Sequence, residues 1–202
     1  MLLVIDTSTA ACTAALFDEA GACLASRNEI IGRGHAERLV PMIDELLAGR
    51  RASRILVGVG PGSFTGIRVG IAAAHGLAIG WDAEVSGLSS LALLVAGADG
   101  EGPVTAAIDG GHGELFVQTF DGRTMKAQSE VLNLSPEAAA AACPSETVVG
   151  SAAQRLVEAR GWGTAIEGWP SAENATRLPE SLRTLPAKPL YGRAPDAKAK
   201  AA

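Results

Sequence analysis

Apolar and polar positions in the first part of the chain follow strand patterns and then a helical pattern. Leu2–Asp6 is a short apolar run that ends in an acid, and the runs Cys12–Phe17 and Ala22–Arg27 flank the turn sequence DEAG. These segments predict one strand followed by a hairpin. Apolar residues at helical spacing predict a helix over His35–Leu47, and Pro41 within it predicts either a kink or the first turn.

The alternation of predicted strands and helices continues to the end of the chain. We expect a buried strand at 54–60, a helix after a glycine-rich stretch, a strand near Val85 and a helix from about Ser89. A turn-rich joint, GADGEGP at 97–103, precedes a second series. That series comprises strands at 104–109, 114–120 and 127–132, a helix capped by Ser135 with Pro136 at its first position, a strand at 147–151, a helix closed by Gly161, a weak strand TAIEG and a short helix near 171–182.

The second series resembles the first closely enough to predict an internal repeat. Asp6 precedes Asp18 by twelve residues, and Asp109 precedes Asp121 by twelve, so that Phe17 and Phe120 coincide. We therefore predict an α/β protein made of two β-β-β-α-β-α halves with mixed sheets, residues 1–100 and 101–202. A chance match is the alternative, because few side chains are identical.

Composition restricts the classes of function. Apolar residues make up 48% of the 202 residues, the formal net charge is −5 and the pI is about 5.2. A folded protein without a basic face is expected, so RNA binding would need a partner that supplies positive charge. Three widely spaced cysteines without a C-x-x-C pair favour a reducing cytoplasm, and no signal peptide or membrane span is expected.

The two strand-end acids are candidates for weak contacts to a nucleotide or an anion. In DTST, Asp6 with Thr7 and Ser8 could hold a metal–phosphate group, or the four residues could close the strand in an Asx turn. In IDGGHGE, Asp109 and Gly110 could approach a phosphate, or the loop could be only a tight hairpin.

The glycine-rich stretch GVGPGSFTGIRVGIAAAHGLAIG matches neither a Walker loop nor a dinucleotide fingerprint. Gly62 and Ser63 could give weak anion contacts at the start of the helix, which Ser63 or Thr65 could cap. Gly66, Gly70 and Ala74 recur every four residues and predict close packing, while Arg68 and His75 share a face. A helix that is apolar on nearly all sides must be covered by its own core or by a partner.

Metal and nucleophile chemistry find little support in the sequence. A helical metal pair needs a second ligand three or four positions after the first, and His35 is followed there by Arg38 and Leu39. A Ser-His-Asp triad is not excluded by spacing, but no G-x-S-x-G elbow supports one. We therefore expect no catalytic residue and no bound metal.

Four segments together resemble a known family. They are LLVIDTSTAACTAAL, HAERLVPMIDELL, GPGSFTGIRVGIAAAHGLAIG followed by GLSSL, and the C-terminal PLYGRAPDAK. The sequence is thereby identified as a member of the bacterial TsaB (YeaZ) family, the dimerisation subunit of the tRNA threonylcarbamoyladenosine machinery. The resemblance implies a duplicated RNase H-like fold of the actin-like and sugar-kinase-like ATPase class.

The resemblance also implies a function. It implies a non-catalytic scaffold that works with a catalytic threonylcarbamoyl-transferase subunit and an ATPase on the adenosine beside the anticodon, and that contacts tRNA only through the complex. The catalytic subunit carries an H-x-x-x-H metal pair where this chain has His35 and Leu39. No tightly bound cofactor is implied, whereas ATP or ADP with Mg²⁺ at the complex interface stays open, as does a homodimer of the chain alone.

The predicted partner surface consists of the helices at 35–47 and 66–80, which bundle with the partner subunit in the family. Its residues are His35, Leu39, Ile43, Leu46, Gly66, Arg68, Gly70, Ala74 and His75. Three positions depart from the family pattern: Val59 replaces the usual Arg, Gly111 stands where the family has Arg, and Gly192 replaces the usual Leu. The first two changes each remove a positive charge near the cleft and weaken the case for a ligand there.

Two other functions compete with the scaffold. A small-molecule kinase could use Asp6 and the IDGGHGE loop, although the chain leaves little room for a substrate lobe. A metallopeptidase would need the ligand pair that His35 lacks. ATP turnover by the chain alone would favour the kinase, and activity only after mixing with partners would favour the scaffold.

Overall fold

The first five strands form a mixed sheet in the N-terminal half. The computed structural model describes residues 1–98 and 100–192. The sheet order is β3-β2-β1-β4-β5, in which β1, β2 and β3 pair antiparallel and β1, β4 and β5 pair parallel. The predicted strand and hairpin are confirmed, with bounds β1 Leu2–Asp6, β2 Ala11–Phe17, β3 Cys23–Ile30, β4 Arg54–Gly58 and β5 Glu84–Leu88.

A second five-stranded sheet repeats this connectivity. Its order is β10-β9-β6-β7-β8, with β6, β7 and β8 antiparallel and β6, β9 and β10 parallel. The bounds are β6 Pro103–Gly111, β7 Glu114–Asp121, β8 Leu132–Leu134, β9 Thr147–Val149 and β10 Thr164–Ile166. The predicted repeat is thus confirmed in topology. The strand expected at 127–132 starts only at Leu132, because Ala127 makes just an isolated bridge to Phe120.

Five α-helices connect or follow the strands in the part of the chain that the structure describes. They are α1 His35–Leu47, α2 Phe64–Trp81, α3 Ser90–Val95, α4 Pro136–Ala142 and α5 Ala153–Arg160. Ser63, Ser89 and Ser135 each accept a hydrogen bond from a backbone N–H in the first turn of the helix that follows. Gly161, in the left-handed conformation, ends α5. The predictions for Ser135 and Gly161 are thereby confirmed.

The helix expected near 171–182 is instead two 3-10 turns, Ala172–Arg177 and Glu180–Leu182. Pro41 lies inside α1 and does not mark its first turn.

Buried side chains cover both faces of the first sheet. One face packs on α1 and α2 through residues such as Leu3, Ile5 and Ile67. The other face shares a core with α3 and the second sheet, and this core contains both Phe17 and Phe120. All six residues of α3 are buried, so this short helix lies in the centre of the molecule. The end of the PLYGRAPDAK segment, residues 193–198, lies outside the described residues, and the division at residue 100 stays a prediction.

Within the described ranges, no helix has both the length and the apolarity needed to cross a bilayer. The longest of the helices given above, α2, has 18 residues.

Candidate functional site

The carboxylate of Asp6, at the end of β1, is fully enclosed by the chain. Its Oδ1 accepts the backbone N–H of Ser8 at 2.8 Å and the Ser8 hydroxyl at 2.7 Å, and its Oδ2 accepts the Ser90 hydroxyl at 2.6 Å. Burial raises the pKa of this carboxyl above its ordinary value, against the lowering effect of the hydrogen bonds from Ser90 and Ser8. The Asx-turn alternative therefore describes Asp6, whose two oxygens both serve internal contacts.

Neighbouring polar residues are engaged in the same way. The Thr7 hydroxyl donates to the Gly66 carbonyl at 2.7 Å, and the Ser63 backbone N–H donates to the Ser8 carbonyl at 2.7 Å. Gly62 lies so close to Ser8 that an added Cβ would be 3.1 Å from the Ser8 Cβ and nearer still to the carbonyl oxygen. The Gly60–Gly66 stretch is thus a turn packed against the end of β1, from which α2 begins.

Asp109, the counterpart of Asp6, is exposed. Its Oδ1 accepts the Gly111 backbone N–H at 2.9 Å and lies 3.9 Å from the Arg155 guanidinium. The predicted tight hairpin is confirmed, since His112 and Gly113 connect β6 to β7 with φ angles of 53° and 84°. Gly110 packs on β8, where an added Cβ would lie 2.7 Å from the Asn133 side-chain oxygen.

A cleft of about 350 Å³ lies between the two halves. It brings together three of the predicted anion contacts, Ser8, Ser63 and Asp109, whereas Asp6 and Thr7 are buried and do not line it. Its other lining residues are Thr9, Ala10, Gly32, Ile108, Ser151, Arg155 and Trp169. The sequence argument missed Arg155 and Trp169, although the position of Arg155 on the last helix of the repeat could have suggested it.

His35 is a structural residue at the start of α1. Its side chain is almost fully buried, and its Nε2 lies 3.2 Å from the Ala11 carbonyl oxygen, where β2 begins. One turn later stands Leu39, which is 0% exposed in the core under the first sheet. Within residues 1–98 and 100–192, no group of three or more His, Cys, Asp or Glu side chains could hold a metal ion.

Most of the predicted partner-surface residues need correction, because they face the chain's own core. The side chains of Leu39, Ile43 and Leu46 are at most 2% exposed and pack under the first sheet. The buried stripe Gly66, Gly70 and Ala74 lies against β1 and β4. A Cβ on Gly70 would lie 2.6 Å from the Thr7 Oγ1 and 3.4 Å from Val57. Close packing is confirmed for this stripe, but the surface that it packs against is internal.

Other positions of the same two helices remain accessible. The apolar side chains Val40, Phe64 and Ile79 are 54%, 50% and 87% exposed. Arg68 and His75 are exposed as well, and both contact the C-terminal segment. The Arg68 Nε donates to the Tyr191 hydroxyl at 2.9 Å, and the His75 Nε2 lies 3.4 Å from the Ala187 carbonyl oxygen.

The structure gives a physical setting to the three departures from the family pattern. Val59 is buried in the core with the helices α1 and α2, so an Arg there would need a different local arrangement. Gly111 has a φ of 76°, which lies in the left-handed region of the backbone, and glycine adopts this region without the steric penalty that other residues have. A Cβ on Gly192 would lie 2.6 Å from the Phe116 ring, so the usual Leu does not fit here.

Two mixed sheets of the same connectivity, joined by a shared core and facing a cleft, define a duplicated RNase H-like protein of the actin-like ATPase class. The family model described as TsaD, tRNA N6-adenosine threonylcarbamoyltransferase, matches residues 27–157. A solved Pseudomonas aeruginosa structure, described as an uncharacterized protein with similarity to peptidase YEAZ, superposes with a TM-score of 0.79 at 32% identity, covering 95% of this chain and 99% of that one.

Sequence relatives agree with this likeness. The tRNA threonylcarbamoyladenosine biosynthesis protein TsaB of Escherichia coli K12 is 37% identical over 123 residues, which are 57% of this chain and 52% of that protein. An uncharacterized Mycobacterium bovis protein is 33% identical over 98% of this chain and 93% of its own length. The chain belongs to the TsaB (YeaZ) family. The aligned part spans about half the length of the relatives named TsaB.

Proposed function

We propose that this chain is a non-catalytic subunit in the threonylcarbamoylation of the adenosine next to the anticodon in tRNA. It would pair with a catalytic paralogue and be assisted by an ATPase. Support comes from the Escherichia coli relative, which is named for tRNA threonylcarbamoyladenosine biosynthesis, and from the match to the TsaD transferase model. The catalytic paralogue is a natural partner for a chain of the same fold.

The non-catalytic role rests on one observation: the Asp6 carboxylate accepts hydrogen bonds from within the chain and is not exposed. A phosphotransferase of this fold class would need the strand-end acid to reach a metal ion or its waters from the cleft. Here both oxygens of the carboxylate accept hydrogen bonds from Ser8 and Ser90, and the residue has no exposed surface. The chemistry is therefore assigned to the catalytic paralogue.

Several further properties belong to this proposal. The chain contacts tRNA only within the complex, because its net charge of −5 offers no electrostatic attraction to phosphates. It holds no cofactor tightly, and any ATP or ADP with Mg²⁺ binds at the complex interface. The complex works in the cytoplasm, and the chain alone forms a homodimer through the exposed faces of α1 and α2.

Reconstitution tests the proposal. The chain, the catalytic paralogue and the ATPase from the same source are purified separately and mixed with tRNA, ATP and the threonylcarbamoyl donor system, and the modified nucleoside is measured by mass spectrometry. We expect modification only when all three proteins are present, and none from this chain alone. Full modification without this chain would contradict the proposal, as would ATP turnover by the chain alone.

A further inference from the structure

An arginine and two aromatic rings form one cluster on the surface of α2. The Arg68 guanidinium lies 3.5 Å from the centroid of the Phe64 ring and 5.6 Å from that of Tyr191. Its Nε donates to the Tyr191 hydroxyl at 2.9 Å, and the two rings stack with centroids 5.3 Å apart. We call Phe64, Arg68 and Tyr191 the Arg68 cluster. It joins the first turns of α2 to a segment more than a hundred residues later in the chain.

The C-terminal segment is held firmly enough to fix the position of Tyr191. Leu185 and Gly87 exchange backbone hydrogen bonds of 2.6 and 3.0 Å, and Leu190 donates to the Val59 carbonyl at 2.7 Å. Gly87 and Gly60 lie against this segment so closely that added Cβ atoms would be 2.7 Å from Pro186 O and 2.9 Å from Leu190 O. The residues that precede Tyr191 are therefore attached to the first sheet, and they place Tyr191 directly beside Arg68.

One edge of the Arg68 guanidinium stays available. Of its five N–H donors, the one on Nε is used by Tyr191, and the two Nη groups make no hydrogen bond or ion pair with any residue in 1–98 or 100–192. The planar group is held by a ring contact and a hydrogen bond, so little side-chain entropy remains to be lost on binding. The cluster therefore presents the two Nη groups of a guanidinium that is already oriented, with two aromatic rings beside it.

We propose that the Arg68 cluster binds a carboxylate of the catalytic paralogue, an Asp or Glu side chain that accepts two parallel hydrogen bonds from the Nη edge. This inference rests on the proposed function and names the chemistry of its interface. A planar guanidinium fits a carboxylate bidentately. Half-exposed Phe64 and Tyr191 beside the fork give the mixture of aromatic and Arg groups that is typical of the energetic centre of a protein interface. The net charge of −5 disfavours a nucleic-acid backbone as the acceptor.

The test is the dissociation constant of this chain with the purified catalytic paralogue, measured by calorimetry for the wild type and four variants. Arg68→Gln removes the charge, Arg68→Lys keeps the charge but not the planar fork, and Tyr191→Phe keeps the stacked ring but removes the anchor of Nε. Arg51→Gln is the matched control, since Arg51 is an exposed arginine outside the cluster. Thermal unfolding of each variant alone verifies that the fold is retained.

We expect Arg68→Gln to weaken pairing at least tenfold, Arg68→Lys to lose most of the same affinity, Tyr191→Phe to lose a few-fold and Arg51→Gln to stay within twofold. Normal pairing of Arg68→Gln would overturn the inference and leave the proposed function standing. If Arg68→Lys pairs with wild-type affinity, the two parallel hydrogen bonds from the planar guanidinium are not needed, and the inference of bidentate binding is wrong. Normal pairing of Arg68→Gln with weakened tRNA binding by the complex would assign the acceptor to phosphate and so overturn it too. A wild-type chain that does not pair would overturn the proposed function itself.

Discussion

The Ser90 hydroxyl donates a 2.6 Å hydrogen bond to the Oδ2 of Asp6, and this contact connects the first helix turn of α3 to the end of β1. Ser90 also accepts the backbone N–H of Gly60 at 3.2 Å. A Cβ on Gly58 would lie 3.0 Å from the Ser90 Oγ and nearer still to the Asp6 carboxylate. The acid that ends β1 is thus enclosed by a hydroxyl and a glycine that lie far from it in sequence.

Replacing Ser90 with Ala should destabilise the fold. The buried Asp6 carboxyl would lose a donor, and leaving a buried acceptor without its partner lowers the free energy of unfolding by about 1–3 kcal/mol. Urea unfolding of the isolated chain measures the loss. Thr124→Ala is the control, because the Thr124 hydroxyl also donates to an aspartate, Asp121, but on the surface; there we expect a change within about 0.5 kcal/mol. Equal effects of the two substitutions would contradict the structural role of Ser90.

The raised pKa of Asp6 predicts a pH dependence of stability with a definite sign. Burial, the largest cause, lifts the pKa in the folded state above the ordinary value of 3.8. The folded chain therefore binds the proton more tightly than the unfolded chain. The contribution of this proton to stability is complete below pH 3.8 and is lost as the pH rises through the folded-state pKa.

Asp6→Asn isolates this contribution because the amide does not titrate. We expect the difference in unfolding free energy, wild type minus Asp6→Asn, to fall as the pH rises from 4 and to level off above the folded-state pKa of Asp6. Unfolding in urea at a series of pH values gives both curves. A difference that rises with pH would mean that the folded-state pKa lies below 3.8, in contradiction to the burial argument.

The repeat was predictable because it is carried by strand patterns and turn residues. The apolar runs before Asp6 and Asp109 form the central strands β1 and β6, and Phe17 and Phe120 lie near the ends of the strands paired with them and share one core. Helix ends were also predictable where a local residue determines them, as Ser135 and Gly161 do. Such features depend on interactions within a few residues of one another.

Contacts between distant residues were not predictable from the same patterns. The spacing of Gly66, Gly70 and Ala74 predicts close packing but does not say whether a partner or the chain's own sheet lies opposite. Likewise, nothing near Arg68 in the sequence indicates that Tyr191 packs beside it. Periodicity identifies the face of a helix, whereas the fold as a whole decides what covers that face.

Two glycines of α2 should respond oppositely to Ala. A Cβ on Gly70 would press on the Thr7 Oγ1 at 2.6 Å, whereas a Cβ on Gly76 would meet nothing within 4 Å. We expect Gly70→Ala to lower the free energy of unfolding by about 1–3 kcal/mol through overpacking. Gly76→Ala should raise it by about 0.5–1 kcal/mol through helix propensity. Chemical denaturation of both variants verifies the two signs, and a stabilising Gly70→Ala would contradict the packing of α2 on β1.

The packing of α2 on β1 determines which positions of α2 a partner could contact. The structure indicates that Gly70→Glu would place an unpaired charge in the core and harm the fold itself, so a loss of pairing would be uninformative. Ile79→Glu is the better variant, because Ile79 is an apolar side chain of α2 that is 87% exposed. We expect it to weaken pairing with the catalytic paralogue at least tenfold and to leave the unfolding free energy within about 0.5 kcal/mol. Leu24→Glu on β3, also exposed, is the control, and equal pairing by all three proteins would place the interface elsewhere.

The isolated chain should bind ATP with Mg²⁺ only weakly. Asp6 is enclosed, and the guanidinium of Arg155, which lines the cleft, already donates to the Gly113 carbonyl at 2.8 Å and lies near Asp109. A helix N-terminus such as that of α2 contributes only about 0.3–1 kcal/mol to holding an anion at an exposed site. A micromolar site needs about 8 kcal/mol. We expect titration calorimetry to detect no site tighter than about 1 mM, with Asp109→Ala unchanged from the wild type. A micromolar site that Asp109→Ala abolishes would show that the cleft binds nucleotide and would contradict this assignment.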